Sequence, residues 1–536
     1  MRVNIIPHII IIPEPISIKI TSGKFFLNKN TSIFSDPKLK EVSIYLKNSI
    51  QSLTSFQLQT KDLGGRSGND DSISLKLIDD NIIIGEEGYH LEINPQKMII
   101  SAKTPTGIFY GIQTLRQILP PYIEDDKSID HRAWEILCVE IIDYPRFSWR
   151  GYMLDEARHF HGKSTVKKLL DICAFLKINV FHWHLSDDQG FRIEIKKYPN
   201  LTEIGSKRNE TQVGGFLSKK TDGIPHSGYY SQEEISEIVA YANERFITVV
   251  PEIDIPGHTR AILAAYPNLS CKGEQFEVSS HWSIHKDVLC VGKELVFEFL
   301  QNLLSEVITL FPSNIIHIGG DEVLKTRWKE CPDCQARLKT EGLKNMRDLQ
   351  TYFTNRILIY LNSLKITVIG WNEVLNRNLK ENIVCQYWIR KKHLVLKHLR
   401  EGGHVIMSNF KYAYLDHGYS FTPLKLAYEF EPIPNQLEKA FHKNILGIEA
   451  LMWGEFTPNL KRIEWQTFPR LIAFAEVSWT QKDKKNYVWF QSKLKLFNKR
   501  LDIMNVNYAR EDEIQPGPVK KMFSVFTLAK EGKGGE

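Results

Sequence analysis

Two adjacent carboxylates, Asp321 and Glu322, close the stretch NIIHIGGDEV at residues 314–323. Ile315, Ile316 and Ile318 read as a buried strand that stops at a glycine pair, so the acids fall at a strand end. Paired acids in such a place suit proton transfer. A strand, a turn and a solvated acidic corner explain the decapeptide equally well, and the residues elsewhere in the chain decide between the two.

Those residues are chemically able and regularly placed. Asp155, Arg158 and His159 lie in and after WRGYMLD; His182, His184, Asp187 and Asp188 lie in and after INVFHWHL; Glu252, Asp254 and His258 lie in and after ITVVPEIDI. Trp371, Trp388 and Trp453 end three later apolar runs, Glu373 and Glu455 stand beside the first and last, and Tyr412, Tyr414 and Asp416 follow HVIMSN. Acids with one arginine early and indoles late describe a sugar pocket, because aromatic faces pack on a pyranose ring while carboxylates and Arg bind its hydroxyls. The HWH pair also fits the first ligands of a metal-dependent hydrolase, but such a site needs further His from later strands, and strands five and six end in tryptophan. No metal and no cofactor are therefore expected, and His182 and His184 read as packing or supporting groups. A sugar-binding protein without turnover explains the tryptophans and leaves the adjacent acids without a purpose.

Eight apolar runs carry these residues: 149–155, 178–185, 247–255, 315–320, 366–371, 383–388, 404–409 and 445–453. Amphipathic segments separate them. One has Val166, Leu169, Leu170, Cys173 and Leu176 at helical spacing behind Ser164 and Thr165, which are expected to cap it. Another opens on a capping box, Ser231 with Glu234. Eight strand–helix units predict a (β/α)8 TIM barrel, whose site lies at the carboxyl ends of the strands. The β-type runs IPEPISIKI, SISLKLI, GYHLEI and KMIISA, with helical segments such as GIFYGIQTLRQIL, predict a small α+β accessory domain before it. The expected boundaries are 1–145 for that domain, 146–505 for the barrel and 506–536 for a loosely ordered tail.

Composition agrees with an ordinary globular chain. With 536 residues, 42% of them hydrophobic, and 69 basic against 63 acidic groups, the net charge of +6 gives no reason to expect nucleic acid, and no run reaches membrane-spanning length. Pro7 and Pro13 break the N-terminal Ile run and no small-residue cleavage site follows, so a first strand is expected there and, by default, a cytoplasmic protein. Seven cysteines do not describe a disulfide scaffold; Cys271 and Cys290 could bridge one loop, and the CPDC pair Cys331 and Cys334 reads as a loop staple or two free thiols.

The motifs RGYMLDEARHF, HWHLSDDQGFR, PEIDIPGH, HIGGDEV, GWNEV, QYW, YLD and EALMWGE, in that order, resemble those of the glycoside hydrolase family 20 β-N-acetylhexosaminidases over roughly residues 1–505. The resemblance implies exo-acting, configuration-retaining hydrolysis of terminal N-acetylhexosamine from a glycan or chito-oligosaccharide, with the substrate's own acetamido group as nucleophile. It gives Glu322 the role of acid and base, and Asp321 that of holding the acetamido N–H. Adjacency in an indole-walled pocket is expected to make the two acids titrate apart, the proton resting on Glu322. Arg158 and Glu455 are expected at the sugar hydroxyls, Tyr414 and Asp416 at the acetamido carbonyl and the O4/O6 side, and Trp371, Trp388 and Trp453 around the acetamido and ring. Asp187 and His258 form a dyad beside the acid. Asp155, Asp254, Glu252 and His317 are expected to be structural. A disaccharide-releasing relative of the lacto-N-biosidase type is the alternative within enzymes, and the oligomeric state is left open.

Overall fold

The computed structural model describes residues 9–54, 56–63, 71–79, 84–119 and 134–517. All eight apolar runs form parallel strands of one closed barrel: Trp149–Asp155, Val180–His184, Thr248–Glu252, Ile315–His317, Thr367–Trp371, Val384–Tyr387, Val405–Met407 and Ile445–Met452. The eighth pairs in register with the first, Leu451 opposite Met153, which leaves no free edge. Helices such as Lys163–Phe175, Gln232–Asn243, Glu294–Leu310 and Met346–Ser363 cross back outside, each burying an apolar face.

Alternation along the strands sorts the barrel interior into layers. Trp149, Val180, Val250, Ile369 and Ile406 form one apolar layer, and Met153, Trp371, Tyr414 and Leu451 form another nearer the carboxyl ends. Between them lie charged groups. Glu449 approaches His182 Nδ1 at 2.7 Å and accepts hydrogen bonds from Trp149 and Gln386, while Glu252 reaches His184, His317 and the Trp371 indole. Gly151 is required here, because a Cβ on it would lie 2.4 Å from the Glu449 carboxyl.

Before the barrel stands a seven-stranded mixed sheet, backed by helices Lys40–Thr54 and Pro105–Ile118. Its strand Trp134–Asp143 was not singled out in the sequence, although its buried and outward residues largely alternate; it lies between Ser17–Leu27 and Tyr89–Ile93. Buried ion pairs join the sheet to the barrel: Arg150 binds Glu87 at 2.6 Å, and Lys177 binds Asp143 at 2.9 Å. Each cation taken from water needs such a partner.

Several expectations change. The N-terminal strand begins only at Ser17; residues 1–8 lie outside the described residues, and Ile12 is instead held by Gln117, which bonds both its backbone groups at 2.8 Å. Ser164 and Thr165 lie inside the first helical turn, behind an N-cap at Gly162 that makes no side-chain bond. Residues 506–517 of the expected tail are packed, with Val506, Tyr508, Ala509 and Ile514 buried; residues 518–536 lie outside the described residues. Cys271, Cys290, Cys331 and Cys334, for which a loop bridge and a staple were open alternatives, are all free thiols and meet in one group.

Candidate active site

The carboxyl ends of the barrel strands enclose a cavity of about 460 Å³. Of the eleven residues expected at the site, Arg158, Asp187, His258, Asp321, Glu322, Trp388, Tyr414, Asp416, Trp453 and Glu455 line it. Trp371 does not. Its side chain is almost wholly buried, its indole N–H donates to Glu252 at 2.9 Å, and its ring tilts against Trp453 with centres 5.8 Å apart, so it supports the wall.

The glycine pair places the two acids. Gly319 and Gly320 both have positive φ, and a Cβ on Gly319 would lie 1.8 Å from Asp254 Oδ1, while one on Gly320 would lie 2.5 Å from Val374. Asp254 also accepts the Gly320 N–H at 3.1 Å. The chain therefore threads a gap that only glycine fits, and Asp254 is a fastening for that turn. Glu322 follows with φ 46°, the left-handed region that costs a non-glycine residue about 1–2 kcal/mol. Its neighbour Asp321 is 8% exposed, whereas the Glu322 side chain is 32% exposed.

Asp321 is thus the more deeply buried of the two acids. Burial pushes the Asp321 carboxyl up to about 7; the His258 cation pulls against this, and Glu373 and Glu322 add to it. Asp321 lines the cavity, and its Oδ1 is buried and has no hydrogen-bond partner.

His258 ties this pair to a second charge group. Its Nδ1 lies 3.2 Å from both Asp187 and Asp188, and its Nε2 lies 3.7 Å from Glu322 and 4.0 Å from Asp321. Burial opposes its protonation, but Asp187 outweighs this and holds it well above the usual histidine range. Asp187 is itself buried, and Arg158, at 2.7 Å, with His258 keeps it well below the usual carboxylate range. Asp188 turns partly away to accept the Arg260 N–H at 3.0 Å.

On the other side Arg158 is aimed by Asp155 at 3.1 Å and Gln189 at 3.1 Å, and lies 5.1 Å from the Trp453 ring centre. Asp155 also accepts the Ala157, Arg158 and Gly454 N–H groups, a structural role as expected. Trp388 donates to Glu373 at 2.9 Å and stacks near Tyr414. Burial pushes the Tyr414 hydroxyl and the Asp416 and Glu455 carboxyls upward. Phe216, Trp282 and Ile284, none of them singled out in the sequence, line the cavity from loops. Their only signal was large apolar side chains in polar loops.

The site and the sheet before it match known proteins in the same arrangement. The family model for glycosyl hydrolase family 20, catalytic domain, matches residues 147–482, and that for the same family's domain 2 matches residues 8–144. A Porphyromonas gingivalis protein named beta-hexosaminidase is 37% identical over 95% of this chain, and the chain spans 65% of that relative's length. The solved exo beta-N-acetylglucosaminidase of Vibrio harveyi, in complex with N-acetylglucosamine, superposes with a TM-score of 0.82 at 31% identity, covering 93% of this chain and 78% of that one. The beta-N-acetylhexosaminidase of Bacteroides fragilis does so at 0.79 and 32%, covering 96% and 98%. With both family models falling on the accessory sheet and on the barrel that holds the acids, this chain belongs to glycosyl hydrolase family 20.

Proposed function

We propose that the chain is an exo-acting β-N-acetylhexosaminidase that removes terminal GlcNAc or GalNAc from β-linked glycosides with retention of configuration. The observation that carries this reading is the buried, unpartnered Oδ1 of Asp321 beside Glu322. Two carboxyls on neighbouring residues do not straddle a sugar ring as an acid and an enzyme nucleophile must. A buried carboxylate oxygen without a partner calls for a donor, and a 2-acetamido sugar supplies an amide N–H. Asp321 accepts that hydrogen and aims the acetamido oxygen at the anomeric carbon, where the new C–O bond forms as the glycosidic bond breaks. Glu322 gives its proton to the departing oxygen, then takes one from the water that opens the oxazolinium intermediate. Two inversions restore the starting configuration. Arg158, Glu455 and Asp416 bind the hydroxyls, and the rings of Trp388, Tyr414 and Trp453 enclose the acetamido group and the sugar face. Asp187 and His258 supply the charge beside the acid. The bound N-acetylglucosamine of the Vibrio harveyi relative is the sugar this reading calls for.

The test is the first product from a chito-oligosaccharide, followed by NMR. Single N-acetylglucosamine residues released as the β-anomer are expected. Disaccharide release indicates the lacto-N-biosidase type of action, and an α-anomer excludes retention.

A further inference from the structure

Four cysteines that are scattered in the sequence meet away from the cavity. The Sγ atoms of Cys290 and Cys331 are 3.6 Å apart, those of Cys290 and Cys334 are 3.6 Å apart, and those of Cys271 and Cys334 are 3.9 Å apart. All four sulfurs lie within 4.8 Å of one another. A disulfide needs about 2.05 Å, so none of these distances is a bridge. A tetrahedron of thiolates around a zinc ion, at Zn–S of about 2.3 Å, has edges of about 3.8 Å, the spacing seen here.

The surroundings agree with a built site. Cys290 and Cys334 are fully buried, Cys331 is 4% exposed and Cys271 is partly exposed. Thiols are weak donors and weak acceptors, so four of them packed together gain little from one another. The CPDC turn forms the N-cap and first turn of the helix Pro332–Thr340. The other two ligands come from the preceding loop. An antiparallel bridge between Ser270 and Leu289 and the Cys290 N–H bond to Leu269 at 2.9 Å hold them side by side. Gly292 touches the CPDC backbone so closely that a Cβ would lie 2.2 Å from the Asp333 carbonyl carbon.

We propose that Cys271, Cys290, Cys331 and Cys334 bind one Zn²⁺ as a closed structural tetrathiolate site, releasing their four thiol protons to solvent. It fastens the loop after the third barrel strand, which carries His258, to the loop after the fourth, which carries Glu322. Other contacts cross the same seam: Arg327 to Asp287 at 2.5 Å and the Trp328 indole to the Leu289 carbonyl at 2.9 Å. All four tetrahedral positions are taken by protein, so the ion has no open site for substrate and its work is to hold the two loops together.

The experiment is metal analysis and native mass spectrometry of the full chain, purified without chelator, with thiol titration before and after metal removal. One zinc per chain is expected, with the four thiols becoming reactive only after removal and Tm shifting downward. Cobalt substitution should give the sulfur-to-metal charge-transfer absorption of a tetrathiolate. Cys290→Ser and Cys334→Ser should lose the zinc, while Cys138→Ser and Cys385→Ser, at buried cysteines outside the group, should keep it. A native chain that carries iron, holds two disulfides, or stays metal-free with four reactive thiols after incubation with zinc overturns the proposal; because these readings use the unaltered protein, misfolded variants do not blunt the test.

Discussion

Nδ1 of His258 sits 3.2 Å from the Asp187 carboxylate, and that contact holds a positive charge 4.0 Å from Asp321. Asp321 must be ionised to stabilise the positive charge that develops on the acetamido group, and burial pushes its carboxyl up to about 7 even with His258 pulling it down. Removing the cation lets Asp321 keep its proton to higher pH. His258→Gln should therefore move the acid limb of the kcat/KM profile upward by about one pH unit or more. A limb that stays in place or moves down means that Asp321 is not the group titrating there.

The two acids should fail differently. Glu322→Gln should cut turnover by about 10²–10⁴-fold for glycosides with poor leaving groups and much less for activated aryl glycosides, because only the former need the proton. Asp321→Asn should cost about 10²–10³-fold on every substrate, since it removes the negative charge that steadies the charge developing on the acetamido group. Parallel series of aryl glycosides with leaving groups of graded acidity separate the two patterns. An Asp321→Asn enzyme within a few-fold of the parent contradicts the assigned role.

Gly319 should be irreplaceable for reasons of space as well as backbone. Gly319→Ala drives a Cβ into Asp254, whereas Gly342, with nearly the same φ of +62°, has nothing within 4 Å of the same position. Gly342→Ala should cost about 1 kcal/mol, from φ alone, and Gly319→Ala at least about 1–3 kcal/mol more. Denaturant unfolding of both variants, with activity measured alongside, reads the difference.

The buried pair between sheet and barrel predicts a stability effect. Asp143→Asn leaves Lys177 without its counter-charge and should cost about 3–5 kcal/mol. Adding Lys177→Met should recover part of that loss. If the double variant is less stable than the single one in urea melts, the buried cation is not the source of the cost.

Much of this architecture was legible in the sequence because each barrel strand is a short apolar run bounded by breakers, and because polar residues gather at one end of each run. The capping box at Ser231 and Glu234 forms as read, since both partners are local. What escaped was non-local. Trp371 reads like Trp388 and Trp453, but only the inward turn of its strand shows that Glu252 takes its N–H. Phe216 and Trp282 reach the cavity through loops whose course no periodicity records. Cys271 and Cys290 join CPDC only because two loops are folded against each other, so the four-sulfur group has no signature in spacing. The unequal burial of Asp321 and Glu322 depends on the positive φ of Glu322, which adjacency in sequence does not reveal.

The central claim is that the substrate's acetamido group does the work of a nucleophile. It is tested most directly by comparing hydrolysis of p-nitrophenyl N-acetyl-β-glucosaminide with that of p-nitrophenyl β-glucoside, which differs in replacing the acetamido group by a hydroxyl. The glucoside should react at least about three orders of magnitude more slowly, the loss expected when an oriented internal reactant is removed. Comparable rates for the two would contradict it.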